Sequence, residues 1–269
     1  MHQNYNMMIT TLSTIKEIKT QYPTGDLPVL VSCDDHNDYI CKYMRFDSSA
    51  YKLASEIIGA QLADYWNINS PKFCFVSIKQ EHWKTINTPH NHFAPAIGFL
   101  KNNSAIDITD TNYEIVAQTQ NLFEQLVLIA IFDFWVANED RTLNNANMLY
   151  DVNNQQLISI DYGGIFNTNS FENPMELLSE FDSILYAKIA THIYSGLNFK
   201  SQTLQIAKHK FYNNVANSRQ IVDFCKKNIP PQWNISIEII EKKLFQLFEQ
   251  QWIDDCWNSF EKLFNKIFK

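Results

Sequence analysis

The sequence predicts an α+β protein in two unequal halves, a small sheet with one helix followed by a mainly helical half that opens on a single hairpin. Three observations predict it. Short stretches rich in β-branched and aromatic residues, bounded by turn residues, cluster before residue 101. One stretch with apolar residues at helical spacing interrupts them. From about residue 114 onward helical spacing dominates almost to the end of the chain, apart from a polar loop and a hairpin near residues 138–161. The division expected from this is 1–112 for the first half and 113–269 for the second.

Taken in order, "PVLVSC" (Pro28 to Cys33) and "DYICKYMRF" (Asp38 to Phe46) read as two strands of a hairpin, with "DDHND" supplying its turn residues. "SSAYKLASEIIGAQLADYW" (Ser48 to Trp66) reads as a helix. Ser48 or Ser49 can cap it, and Ala54, Ile58, Leu62 and Tyr65 recur on one face. "NINSP" ends it. "KFCFVSI" (Lys72 to Ile78) is a third strand, and "TPHNHFAPAIGFL" (Thr88 to Leu100) is a loop with a short strand at its end. A long apolar helix is expected from Glu114 to Ala137, then the hairpin "NMLYDVNNQQLISID". Further helices are expected at Pro174 to Leu197, Ser201 to Tyr212, Ser218 to Lys227 and Ile235 to Phe268.

The bulk composition removes several function classes. With 269 residues, 45% hydrophobic and 19% charged, the chain can bury a sizeable core and is not broadly disordered. Its net charge of −7 argues against a dedicated nucleic-acid binder, and direct nucleic-acid binding is not expected. The same charge means that a nucleoside triphosphate would have to be held by a few local cations or a metal. Five widely spaced cysteines, with no CxxC pair, suit free thiols in a reducing cytoplasm. The N-terminus carries no signal-peptide pattern. The longest apolar run, "LVLIAIF" (Leu126 to Phe132), is too short for a bilayer, so no membrane partner is expected.

Chemistry concentrates in "DFWVANEDRTLNNANMLY" (Asp133 to Tyr150) and "LISIDYGGIF" (Leu157 to Phe166). Phosphoryl transfer needs a divalent metal on oxygen ligands, a cation on the phosphates and an acid that orients the attacking hydroxyl. Asp140 precedes Asn145 by five residues on a loop after a buried helix, and Asp161 opens an Asp-Tyr-Gly turn at a strand end. In a kinase catalytic loop such an Asp meets the hydroxyl, the Asn five residues on binds metal, and the Asp of the later turn binds metal as well. Upstream, Lys42 lies on a strand and Glu56 on the helix that follows. An ion pair between them would aim the ammonium at the α- and β-phosphates. Gly59, Ala60 and Ala63 would let that helix come close to the sheet.

The segment resembles the HipA-like kinases, in particular the shorter group with D-x-W-x-x-N-x-D-R-x-x-x-N-x-N followed by I-D-x-G. The matching residues are Asp133, Trp135, Asn138, Asp140, Arg141, Asn145, Asn147, Ile160, Asp161 and Gly163. Phosphatidylinositol 3- and 4-kinases share a looser version. The likeness covers roughly residues 20 to 170. It implies a bilobal protein-kinase-like fold with ATP between the lobes and Mg²⁺ as the metal. Family members of known role phosphorylate a serine of a protein, in several cases an aminoacyl-tRNA synthetase, as toxins. For this chain the resemblance therefore implies ATP as substrate, a protein Ser/Thr as acceptor and an antitoxin-like protein as a partner class. The phosphate-covering loop falls on "YPTGDLP" (Tyr22 to Pro28), where Thr24 and Gly25 are the expected nucleotide-binding residues. A turn there with φ > 0 could form an anion nest around a phosphate. One glycine is a thin version of a Gly-rich loop, and Asn138-Glu139-Asp140-Arg141 stands where His-Arg-Asp is usual.

The expected roles are then Lys42 on the phosphates, Glu56 orienting it, Asp140 positioning the acceptor, and Asn145 and Asp161 on the metal. Plainer readings compete at each position. Asp and Asn in such a loop commonly form caps and Asx-turns, and Glu56 could pair with Lys52 on its own helix. Glu139 is expected exposed. Arg141 serves architecture or the charge near Asp140, and Asn147 supports the loop or, as the second reading, approaches the metal. Trp135 and Phe134 are expected in the core. His90 and His92 have metal-like spacing but no third ligand. Phe245, Phe248, Trp252 and Phe260 form a packing stripe. Two other functions stay open: a pseudokinase-like binding module, and the same fold acting on a small-molecule or lipid acceptor.

Overall fold

The computed structural model describes residues 8–84, 86–108, 116, 121–142, 145–187, 190 and 200–268. Its first sheet has six strands: β1 (Thr11–Ser13), β2 (Thr20–Gln21), β3 (Val29–Ser32), β4 (Asp38–Lys42), β5 (Phe73–Ser77) and β6 (Ala96–Leu100). They lie in the order β1-β5-β6-β4-β3-β2. The expected hairpin is β3–β4, paired antiparallel from Val29↔Cys41 to Ser32↔Asp38. Its turn is held by Asp35, which accepts hydrogen bonds from Asn37 and from the Tyr39 hydroxyl. β4 ends at Lys42, four residues short of the expected Phe46. Beyond it the chain leaves the sheet and bridges Arg45 to His90. Neither β1 nor β2 is visible as periodicity, because two or three residues carry no alternation. β1 exists by pairing in parallel with β5 far along the chain.

Helix α1 (Ala50–Tyr65) is capped by Ser49, whose side chain accepts from Tyr51 N. Eleven of its sixteen residues are buried. It is covered on both sides, by the sheet and by the second half, so it lacks the polar stripe of a surface helix.

The second half is built on α2 (Leu122–Val136), mostly apolar, with eleven of its fifteen residues buried. Around it lie α3 (Lys200–Asn217), α4 (Ile221–Asn228), α5 (Ile237–Gln246) and α6 (Gln250–Ile267). A three-stranded sheet of β7 (Ala105–Asp107), β8 (Met148–Asp151) and β9 (Gln156–Ser159) joins the halves; β8–β9 is the expected hairpin. The single helix expected from Ile235 to Phe268 is two helices. The break at Leu247–Glu249 serves the core: Leu247 O accepts from Trp135 Nε1 at 2.8 Å, and Phe248 lies edge-on to Trp135. α6 then returns along α2, with Trp252 Nε1 donating to Trp135 O at 2.9 Å and Phe134 against Phe260. Phe245, expected in this packing stripe, is exposed instead.

The helix expected to start at Pro174 does not. Residues 174–179 are irregular, followed by two single turns of 3₁₀ helix, Glu180–Asp182 and Ile184–Tyr186. Ser179 and Ser183 each accept from the backbone N–H two residues on, the local competition that keeps serine out of helix interiors. The remainder of that expected helix, the start expected at Glu114 and the boundary at 112/113 lie outside the described residues. Architecture at the level of a small sheet-bearing lobe and a mainly helical lobe is as expected. Among the described residues no helix is long and apolar enough to cross a membrane.

Candidate active site

Lys42, the last residue of β4, faces α1. Its Nζ donates to Glu56 Oε1 and, at 2.7 Å, to Asp161 Oδ1. Glu56 has no exposed surface, and its second oxygen accepts from Tyr162 N at 3.1 Å. One helix carboxylate thus holds both the lysine from the sheet and the backbone of the Asp-Tyr-Gly turn. Burial works against the Lys42 ammonium, but Glu56, Asp161 and Asp26 outweigh it and keep it protonated well above the ordinary lysine range. Burial pushes the Glu56 carboxyl up to about 7 against the pull of Lys42. Burial would also raise Asp161, yet the charge and hydrogen bond of Lys42 bring it down to about 2. Asp161 therefore stays an anion throughout the physiological range.

Gly59 allows this contact. A Cβ built there would sit 2.3 Å from Tyr162 Cβ. The small face of α1 thus meets the Asp-Tyr-Gly turn of the second half, rather than the sheet that the sequence suggested. Asp161 itself has φ 58°, in the left-handed region that Asp tolerates better than most residues.

The Asp140 loop is held from below. α2 ends on Ala137 in a left-handed conformation. Buried Asp133 accepts from Asn138 Nδ2 at 2.9 Å and pairs with Arg141 Nε at 2.9 Å. Arg141 is fully buried and also donates to the carbonyls of Asn147, Ala146 and Ile160. Its place is architectural: it ties α2, the loop and the end of the hairpin together. Above, Asp140 Oδ1 accepts from Asn145 Nδ2 at 3.1 Å and Oδ2 from Asn147 Nδ2 at 3.0 Å. Both carboxylate oxygens are thereby oriented by amides of the same loop.

The two motifs interlock at Gly164. A Cβ there would lie 2.4 Å from Asp140 Cβ, and Glu139 N donates to Gly164 O at 3.3 Å. Glu139, expected exposed, is half-buried. Its carboxylate accepts from Asn167 Nδ2 and Thr168 Oγ1 in the left-handed turn that follows.

Thr24 and Gly25 lie in a tight turn before β3. Leu27 N donates to Thr24 O, and Gly25 O accepts from Arg45 Nη1 at 3.0 Å. The left-handed residue of that turn is Leu27, with φ 48°, and not Gly25. The loop's contact with Lys42 comes from Asp26, 3.2 Å from Nζ, which the sequence reading did not single out. Lys52, read from the sequence only as an alternative partner of Glu56, pairs with Asp26 instead. Its position four residues before Glu56, on the same face of α1, was the available signal. His90 stacks on Trp83 at 3.8 Å and its Nδ1 meets Thr88 O. Trp135 and Phe134 are in the core.

A lysine from the small sheet, bonded to a carboxylate on the following helix, and an Asp–Asn loop on the helical lobe facing an Asp-x-Gly turn define a protein with a kinase-like fold and the parts of a phosphotransferase. The chain belongs to the HipA-like kinase family, whose sequence profile matches residues 15–259. None of the curated proteins matches it. Among solved structures, the Helicobacter pylori proinflammatory kinase CtkA is similar over 94% of this chain and 99% of its own, at 13% identity and a TM-score of 0.51. The Golgi casein kinase aligns over 94% of this chain and 73% of its own, at 9% identity and a TM-score of 0.41. At such identities the CtkA likeness is one of fold.

Proposed function

We propose that this chain is an ATP- and Mg²⁺-dependent kinase that transfers the γ-phosphoryl group to a serine or threonine hydroxyl of a protein. The observation that carries the reading is the joint built by Glu56 and Gly164. Glu56 binds both Lys42 and the turn after Asp161, and that turn packs at Gly164 on the backbone of Asp140. The residues that phosphoryl transfer needs thus form one connected unit drawn from both lobes. The same reading divides the chain at 112/113, with ATP between the two parts.

The donor set suits the metal. Asp161 offers a carboxylate held ionised and Asn145 an amide oxygen, the hard oxygen ligands Mg²⁺ takes. These two residues would hold it, and when bound it would neutralise charge on the phosphate oxygens. Lys42 grips the α- and β-phosphates, and Glu56 keeps its ammonium aimed at them. Thr24 and Gly25 lie on the loop that would cover the phosphates. Asp140, oriented by Asn145 and Asn147, accepts the hydrogen bond of the acceptor hydroxyl and turns its oxygen toward the γ-phosphorus. An antitoxin-like protein is the regulatory partner class this reading carries.

The test is incubation with γ-labelled ATP and Mg²⁺, alone and with a cell lysate, followed by mass spectrometry of labelled proteins. Asp140→Asn is expected to lower transfer by about 10²-fold or more while leaving nucleotide binding intact. Wild-type protein that binds no ATP by calorimetry with Mg²⁺ present would remove the reading. Label on a lipid or a small metabolite alone would move the acceptor to that class.

A further inference from the structure

We propose that Lys52 is a second phosphate-binding residue of the nucleotide site, and that Asp26 holds the place of a phosphate between Lys42 and Lys52 until nucleotide displaces it. The inference rests on the kinase reading and adds a residue to it.

One carboxylate bridges two ammoniums here. Asp26 Oδ2 lies 3.2 Å from Lys42 Nζ, and Oδ1 is paired with Lys52 Nζ. Two oxygens of one tetrahedral phosphate could satisfy the same pair of cations. Lys52 sits one helical turn before Glu56, so both side chains leave α1 on the face turned to the Asp-Tyr-Gly turn. The Lys52 stem crosses that turn: its Cε is 2.9 Å from where a Cβ on Gly163 would be, a point itself 3.4 Å from Asp161 Oδ1. Lys52 is the more accessible of the two lysines, its side chain 35% exposed against 11% for Lys42. It therefore stands on the outer side of the cradle, where the terminal phosphates would lie.

Formal charge points the same way. With every group counted as ionised, Lys42 and Lys52 face Asp26, Glu56 and Asp161, a net −1. With Asp26 swung out the cradle is neutral. Without Lys52 it would return to −1, against a triphosphate in a chain already at −7. Asp26 lies in the turn between Thr24 and Leu27, beside a glycine whose Cβ position has no neighbour within 4 Å, so open space borders the residue that would have to swing out.

The test compares Lys52→Met, Lys52→Arg and Asp26→Asn with wild type, measuring affinity for ATP with Mg²⁺ and for adenosine by calorimetry. Lys52→Met is expected to weaken ATP about tenfold or more, Lys52→Arg to recover most of the loss, and both to bind adenosine as wild type does. Asp26→Asn removes the competing anion and is expected to tighten ATP severalfold. Opposite signs for the two positions are the signature. A lysine that merely pins the loop through Asp26 would move both variants in one direction, and that result overturns the proposal. So does ATP affinity for Lys52→Met within about twofold of wild type. Both outcomes leave the kinase reading standing, whereas wild type that binds no ATP removes that reading and this inference together.

Discussion

Gly59→Ala puts one methyl group into the joint between α1 and the Asp-Tyr-Gly turn. On an exposed helix position the change would stabilise by about 1 kcal/mol, since alanine is the better helix former. Here the new Cβ would sit 2.3 Å from Tyr162 Cβ and 2.6 Å from its Cγ, where ordinary contact begins near 3.4 Å. One side must retreat by about 1 Å, and both are buried. Overpacking of this kind costs about 1–3 kcal/mol. A retreat by Tyr162 also stretches its N–H bond to Glu56, now 3.1 Å, which as a charge-assisted bond contributes about 1.5–3 kcal/mol. The sum, less the helix gain, is a net loss of roughly 1.5–5 kcal/mol. Urea unfolding would read the stability, and calorimetric titration with ATP and Mg²⁺ would read the site, where weaker binding is expected because Asp161 moves with its neighbour. A variant as stable as wild type or more so, with unchanged ATP affinity, would refute the close approach of α1 to this turn.

Other perturbations test the framework around the site. Arg141→Lys keeps the charge but cannot span Asp133 and three carbonyls, so most of the roughly 3–5 kcal/mol attached to a broken buried pair should be lost; an unchanged urea midpoint would contradict the architectural role. Lys243 is buried with its Nζ donating to Asn173 O, and burial brings it down to about 8. The unfolded chain keeps that proton up to the ordinary lysine value, so between about pH 8 and 10.5 it binds more protons than the folded chain and stability rises with pH. Lys243→Met should flatten that rise relative to wild type in unfolding curves taken across the interval, and equal slopes for both proteins would count against it.

How much was legible in the sequence follows from the range of each signal. Asp140, Asn145 and Asp161 stand out because turn and loop chemistry is local: the residues sit within one loop and one strand end. Lys42 and Glu56 lie on two neighbouring elements, and their ion pair needed only the first hairpin and the first helix to form. The break in the last helix could not be read that way. Leu247 and Phe248 satisfy helical spacing as well as their neighbours do, and they leave the helix because Trp135, far away in sequence, takes them. The irregular stretch after Pro174 was missed for a different reason: its serines have a local alternative to helix, which apolar periodicity does not register.

Composition, strand and helix periodicity and one dense polar motif were enough to determine a two-lobed α+β chain with kinase-type chemistry beside the hairpin, because each of those features is written in consecutive residues. Tertiary structure alone decided that Asp26 closes on Lys42, that Lys52 turns to Asp26 instead of Glu56, and that Gly59 meets Tyr162. Each of these is a contact between segments whose separation along the chain carries no periodic trace, and each is settled by which charges and surfaces the packed lobes bring within a few ångströms.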